Sequence, residues 1–304
     1  MNATSSMVSP RGGAAASTTS RVRPPRVALL DLVSPWATAV DAPDVPHACE
    51  LFRARHSPLL NALCRQRAPD ATSYPFLGEA TALRACASRA SDPELQHLLR
   101  EQVQAAVELG ALTPATVVLF AGGDGGDTVE ALPGPKPAVV LFLDRCADKV
   151  DLSVALSRGL ASITRWCAAD SRSATRGAPM EPWDRWQLAR EIPLGEWIYA
   201  EGVGVHLAHA LAPDAPPHKL LGCSRGALRR TREREHAIRP LLAAGLNQTG
   251  LGLVLRWLAP QAPASVRTEG GTVLPPGAGR YLGWRMTAER VARVGVGVAL
   301  RMSL

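Results

Sequence analysis

Two short β-branched apolar runs, in a chain otherwise patterned for helices, constrain the fold most strongly. Thr116–Phe120 reads TVVLF and residues 138–143 read AVVLFL, with a glycine-rich segment after the first run and a proline-rich segment before the second. Runs of this kind, bounded by breakers, are typical of buried strands. Apolar residues recur at helical spacing on both sides of them. The sequence therefore predicts an α+β fold in which helices dominate and the sheet is small.

Three helices are predicted from apolar periodicity and from capping residues. The first runs up to Gly110, a residue suited to ending a helix, and Ser91 with Glu94 three positions later forms a candidate capping box. The apolar stripes that predict the three helices are Leu95, Leu98, Leu99, Val103 and Val107; Leu152, Leu156, Leu160, Ile163 and Cys167; and Leu194, Ile198, Val205 and Ala208.

Composition limits the class of protein and its organisation. With 46% hydrophobic and 20% charged residues the chain can bury a core, and no run of about 18 apolar residues predicts a membrane span. Residues 1–26 have the composition of a flexible tail and lack an export signal, which predicts a cytoplasmic protein. Six cysteines without a CxxC pair predict reduced thiols in place of a zinc ribbon. We divide the chain into the tail, an N-terminal helical region over 27–112 and a main domain over 113–304.

Glu201 is the residue that most needs an explanation. It lies in register with the apolar stripe that begins at Leu194, so its carboxylate is expected to face the interior. An unpaired charge there is costly, and a metal ion, an arginine or a proton must compensate it. A structural ion pair is the simplest of the three explanations.

The order of two strands, a helix, a polar loop and a helix carrying Glu201-Gly resembles that of gluzincin-type zinc peptidases. It is most similar to the bacterial predicted Zn-dependent proteases of an uncharacterised-domain family, over about residues 110–290. This resemblance implies a zincin-like fold with an N-terminal helical extension. Residues 137–143 correspond to the family's edge strand and residues 155–161 to its HExxH helix. Residues 193–205 correspond to the third-ligand helix, and residues 279–283 to a glycine-tyrosine motif that implies a position at the cleft for Tyr281.

The chain departs from the family at the positions that carry catalysis. Two histidines one turn apart bind zinc in HExxH, and its glutamate activates the metal-bound water. Here the matching residues are Ser157, Arg158 and Ala161, which leaves Glu201 without the other ligands that a catalytic zinc needs. The sequence therefore favours a catalytically silent, metallopeptidase-like domain without a cofactor, which binds an unidentified protein or peptide in the former substrate cleft. Arg158 either forms an ion pair with Glu201 in place of the metal or extends to solvent.

Two other functions stay open. An active zinc peptidase could use Glu201 with His206 or His209, although the spacing does not align all three on one helix face. A nucleic-acid-binding protein could use the arginine-rich segment 225–239. That partner is not favoured, because glutamates interrupt the segment and no aromatic residue is interleaved, so a solvated, salt-bridged helix face is expected. The glycine-rich segment 122–126 lacks a phosphate-loop ending, and we expect a hairpin connection or a loop over the cleft.

Overall fold

A computed structural model describes residues 28–67, 80–110, 115–122, 128–132, 137–167, 190–259 and 261–302. It is mostly helical with a small mixed sheet, as the sequence predicts. The six strands are β1 (Leu29–Asp31), β2 (Thr116–Phe120), β3 (Val129–Leu132), β4 (Ala138–Phe142), β5 (Thr268–Glu269) and β6 (Thr272–Val273).

Helices lie on both sides of the strands in the sequence. The N-terminal helices are α1 (Val33–Val40), α2 (Val45–Arg67), α3 (Ala80–Ala90) and α4 (Pro93–Glu108), and the two long central ones are α5 (Lys149–Cys167) and α6 (Leu194–Leu211). The C-terminal helices are α7 (Pro217–Leu220), α8 (Arg225–Glu233), α9 (Glu235–Gly245), α10 (Leu251–Leu258), α11 (Ala278–Val294) and α12 (Val296–Arg301). Within these described segments no helix is long and apolar enough to cross a membrane.

The main sheet has the strand order β1-β2-β4-β3, with the first three strands parallel and β3 antiparallel to β4. Side chains alternate between the two faces of a strand, and all five residues of β4 are buried, so helices cover both faces. β1 belongs to the N-terminal region and pairs with β2 of the main domain, so the sheet crosses the boundary at residue 112.

Three details of the sequence interpretation are wrong. The segment 137–143 is not an edge strand, because β4 lies between β2 and β3; the antiparallel edge strand is β3. The glycine-rich segment does not connect a hairpin, because β2 pairs with β4 in parallel, and residues 123–127 lie outside the described part. The N-cap of α4 is Asp92, whose carboxylate accepts from the Glu94 amide, because Pro93 occupies the first helical position.

α6 lies at the centre of the molecule and is buried on opposite sides. One side joins the apolar cluster of the sheet and the N-terminal helices, and the other joins the cluster formed with the C-terminal helices. A helix that is apolar all round is expected in such a position. It runs antiparallel to α5 and packs closely against α11. Its polar side chains find partners on these two helices and on α12, where Tyr199 donates to the carbonyl oxygen of Ala299.

Glycines set the distances between these central helices. A Cβ atom on Gly202 of α6 would lie 2.3 Å from the backbone oxygen of Gly283 on α11, and one on Gly159 of α5 would lie 2.3 Å from Val139 of β4. Neither position has room for a methyl group. At Gly202 the backbones of α6 and α11 are therefore in direct contact, and at Gly159 the backbone of α5 packs against the side chain of Val139 in β4. This close approach of α11 brings Arg280, the residue after Gly279, to the carboxylate of Glu201.

Candidate functional site

Glu201 lies where α5, α6 and α11 meet, and two arginines hold its carboxylate. Arg280 Nε donates to Glu201 Oε2 at 2.9 Å, and Arg158 Nη2 donates to the same oxygen at 3.3 Å. The side chains of Arg280, Arg158 and Glu201 are 6%, 13% and 29% exposed, so the two cations are more deeply buried than the anion. Charge-assisted hydrogen bonds of this kind compensate the desolvation of all three groups.

The backbone of the segment between α7 and α8 closes over this cluster. Arg280 Nη1 donates to the carbonyl oxygen of Leu221 at 3.5 Å, and the next residue, Gly222, has a φ of +61°. A Cβ atom on Gly222 would lie 2.9 Å from Arg280 Nη1 and 3.3 Å from Arg158 Nη1. Glycine is therefore required here both by the backbone conformation and by the close guanidinium groups.

The contact between Arg158 and Glu201 is the one that the sequence interpretation proposed, and the structure confirms the ion pair. The alternative, with Arg158 extended to solvent, is wrong for this side chain. Sequence reasoning missed Arg280, although it lies between the two residues of the glycine-tyrosine motif. The spacing of Gly279 and Gly283, one helical turn apart, was the available signal, since small residues at that spacing let helices approach closely.

The other two residues of the HExxH-like segment serve packing. Ser157 is fully buried and its Oγ donates to the carbonyl oxygen of Ser153 at 2.7 Å, within α5. Ala161 is also buried, and its Cβ lies 3.4 Å from where a Cβ of Gly204 on α6 would stand. Small side chains at these positions allow the two helices to pack, and neither offers a metal ligand or a general base.

The structure does not bring Glu201, His206 and His209 together as metal ligands. His206 Nε2 lies 3.0 Å from the carbonyl oxygen of Trp284, which can only accept, so this nitrogen carries the proton and has no lone pair for a metal. Burial lowers the pKa of His206, and His209 is exposed. No group of three His, Cys, Asp or Glu residues that could hold a metal occurs within the described segments.

Tyr281 lies beside the cluster but contacts another helix. It is buried, and its hydroxyl donates to Glu235 Oε2 on α9 at 2.7 Å. This hydrogen bond, together with Arg239, lowers the pKa of Glu235, while burial and then the Glu235 carboxylate raise the pKa of Tyr281. Tyr281 therefore fixes α11 against α9, with its hydroxyl directed to Glu235.

A second ion pair between α5 and α6 was not predicted. Arg165, 1% exposed, donates to Glu196 and to the carbonyl oxygen of Met302, and its guanidinium lies 5.0 Å from the centre of the Tyr199 ring. This pair joins the two central helices and anchors the end of α12. The sequence signal was weak, because Arg165 and Glu196 lie in the last and first turns of their helices, where charges are common.

The structure describes all six cysteines and, of the glycine-rich segment 122–126, only Gly122. All six cysteines are free thiols, and burial raises the pKa of Cys146 to about 12, which leaves almost no thiolate at neutral pH. Gly122 donates its amide to Asp144 at 3.1 Å, so the start of the glycine-rich segment is held at the carboxyl end of the sheet.

Comparisons with protein-family models, with curated protein sequences and with solved structures found no match for this chain. The functional interpretation therefore rests on the chemistry of the side chains described above.

Proposed function

We propose that this chain is a catalytically silent, metallopeptidase-like domain that works as a binding or regulatory module. The observation that carries the proposal is the Arg158–Glu201–Arg280 cluster. In the family that the sequence resembles, a zinc-bound water and its general base would occupy this position between the two helices. Under this proposal the Arg158 guanidinium takes the place of the base, and the contact of Arg158 and Arg280 with the Glu201 carboxylate supports it.

The donor set supports inactivity independently of the resemblance. Two cations surround one carboxylate oxygen, and a third positive charge in the form of Zn²⁺ would be repelled by both. The positions that correspond to the two histidine ligands are Ser157 and Ala161, neither of which supplies a zinc ligand, and catalytic zinc requires about three protein ligands. The cluster links α5, α6 and α11 through one carboxylate, and we propose that the three helices together form the binding surface.

Elemental analysis tests this proposal. Untagged protein is purified with zinc in the buffers, and metal content and cleavage of a mixed peptide library are measured for the natural chain and for Glu201→Ala. Glu235→Ala serves as the matched control, since Glu235 lies on α9, away from the cluster, and contacts Tyr281 of α11 and Arg239 of α9. We expect far less than one zinc per chain and no metal-dependent cleavage in all three proteins.

The alternative function, an active zinc peptidase with ligands around Glu201, makes the opposite prediction. About one zinc per chain that is lost in Glu201→Ala and kept in Glu235→Ala would overturn our proposal. Cleavage that follows the same pattern would do so as well. The binding role is tested separately by selection from a displayed peptide library. Enrichment of related peptides over an unrelated control protein would support it, and no enrichment would contradict it.

A further inference from the structure

Helices α8 and α9 carry a dense set of exposed arginines. Six arginines fall between residues 225 and 239, and all six are exposed. The sequence interpretation expected a salt-bridged helix face, but the structure pairs only two of them: Arg229 with Glu233 at 3.7 Å, and Arg239 with Glu235 at 2.5 Å. The other four have no acidic partner within 4 Å in the part of the chain that the structure describes, and they are Arg225, Arg230, Arg232 and Arg234.

The neighbouring helix extends this positive surface. Arg285 of α11 is exposed and has no acidic group within 4 Å in the described ranges. Its charge helps to lower the pKa of Glu235, and together with Arg232 it acts to lower the pKa of Tyr281, which places both arginines near the junction of α9 and α11. We call the five residues Arg225, Arg230, Arg232, Arg234 and Arg285 the arginine face. With only Glu233 and Glu235 as acids between residues 225 and 239, this surface keeps an excess of positive charge, which attracts a polyanion.

The chemistry of the face selects the kind of polyanion. Helices α8 and α9 contain no Phe, Trp or Tyr, so they offer no platform on which single-stranded bases could stack. In the described segments, exposed large apolar side chains are absent from these two helices, and Met286 beside Arg285 is a single such residue, which is too little for the apolar centre typical of protein interfaces. Guanidinium groups match phosphate oxygens in geometry and charge.

We propose that the arginine face binds the phosphate backbone of a double-stranded nucleic acid without reading its sequence. A duplex carries about one negative charge per 1.7 Å of its axis, and contacts by arginine to phosphates supply binding of this kind by themselves. The binding does not depend on the proposed function, since the arginine face and the Glu201 cluster share no residue.

The test measures affinity for a fluorescent DNA duplex of about 24 base pairs of mixed sequence, at several salt concentrations. The variant R225Q/R230Q/R232Q/R234Q removes four charges from the face. We expect its affinity at low salt to fall at least about tenfold, and the slope of log K against log salt to fall by up to about 3.6, or 0.9 per lost phosphate contact. Because all four side chains are exposed, the variant should keep the circular dichroism spectrum and melting temperature of the natural chain.

The matched control is R55Q/R100Q/R293Q/R301Q, which removes the same charge from exposed positions on α2, α4, α11 and α12. It should retain most of the duplex affinity. Equal losses in both variants would show that net charge alone is responsible and would overturn the proposal. The absence of duplex binding by the natural chain at about 50 mM salt, or tighter binding to polyglutamate or to phosphatidylserine vesicles than to the duplex, would also overturn it.

Discussion

Replacement of Glu201 by alanine should destabilise the protein strongly, and the structure sets the expected size. The substitution leaves Arg280 and Arg158 with 6% and 13% of their side chains exposed and without the carboxylate oxygen that both contact. Removing one partner of a buried ion pair costs about 3–5 kcal/mol, because the remaining charge stays desolvated. Glu201 itself is 29% exposed, and water can enter the space that it leaves, so we expect the lower end, about 3 kcal/mol.

Urea denaturation at neutral pH measures this loss as a shift in the midpoint with an unchanged slope. Glu233→Ala is the control for loss of a surface ion pair. Its partner Arg229 lies 3.7 Å away and the two side chains are 61% and 77% exposed, so the change should stay within about 0.5 kcal/mol.

A double-mutant cycle with Arg280→Ala separates the contact from other effects of the substitution. Because Arg280 lies 2.9 Å from Glu201, the two changes should couple by at least about 1 kcal/mol. A loss in Glu201→Ala no larger than that in Glu233→Ala, or additive effects in the cycle, would refute the reasoning that this carboxylate holds the three helices together.

Three further perturbations test other contacts. Gly202→Ala forces a Cβ to within 2.3 Å of the Gly283 oxygen and should cost about 3 kcal/mol or prevent folding; near-neutral behaviour in urea would contradict the close approach of α6 and α11. Arg165→Met removes the guanidinium that contacts the buried Glu196 carboxylate and should cost about 3 kcal/mol in a thermal or urea unfolding experiment; a loss below about 1 kcal/mol would be inconsistent with the pair. The lowered pKa of Glu235 means that the folded state favours the carboxylate, so the stability it contributes is present above the ordinary glutamate pKa and is lost as the pH falls through the lowered value. Tyr281→Phe should therefore cost about 1–2 kcal/mol near pH 7, and the difference from the natural chain should shrink as the pH falls below the ordinary glutamate pKa; a constant difference would contradict this assignment.

The sequence by itself determined the elements whose signals are local. β2 and β4 follow from apolar β-branched runs, and α4, α5 and α6 follow from apolar residues at helical spacing, because backbone hydrogen bonding and side-chain periodicity involve only nearby residues. Gly110 follows the C-cap residue of α4 and has a φ of +68°, the left-handed conformation expected of a glycine that ends a helix. The N-cap of α4 was predicted one residue too early, at Ser91, because Ser91 and Asp92 can both cap a helix. Pro93, which favours the first helical position, decides for Asp92.

The tertiary structure decided which distant residues meet. β4 lies inside the sheet and β3 at its edge, an order that the composition of the two strands does not reveal; α5 packs against both. The sequence could pair Glu201 with Arg158 because an interior carboxylate requires a cation and a resemblance placed the two helices together. It could not supply Arg280, which lies 79 residues further along the chain and reaches the carboxylate only because two glycines let α6 and α11 approach closely. The sequence thus shows that an interior charge requires a partner, because an unpaired buried charge is costly, but the packing of the helices determines which residue that partner is.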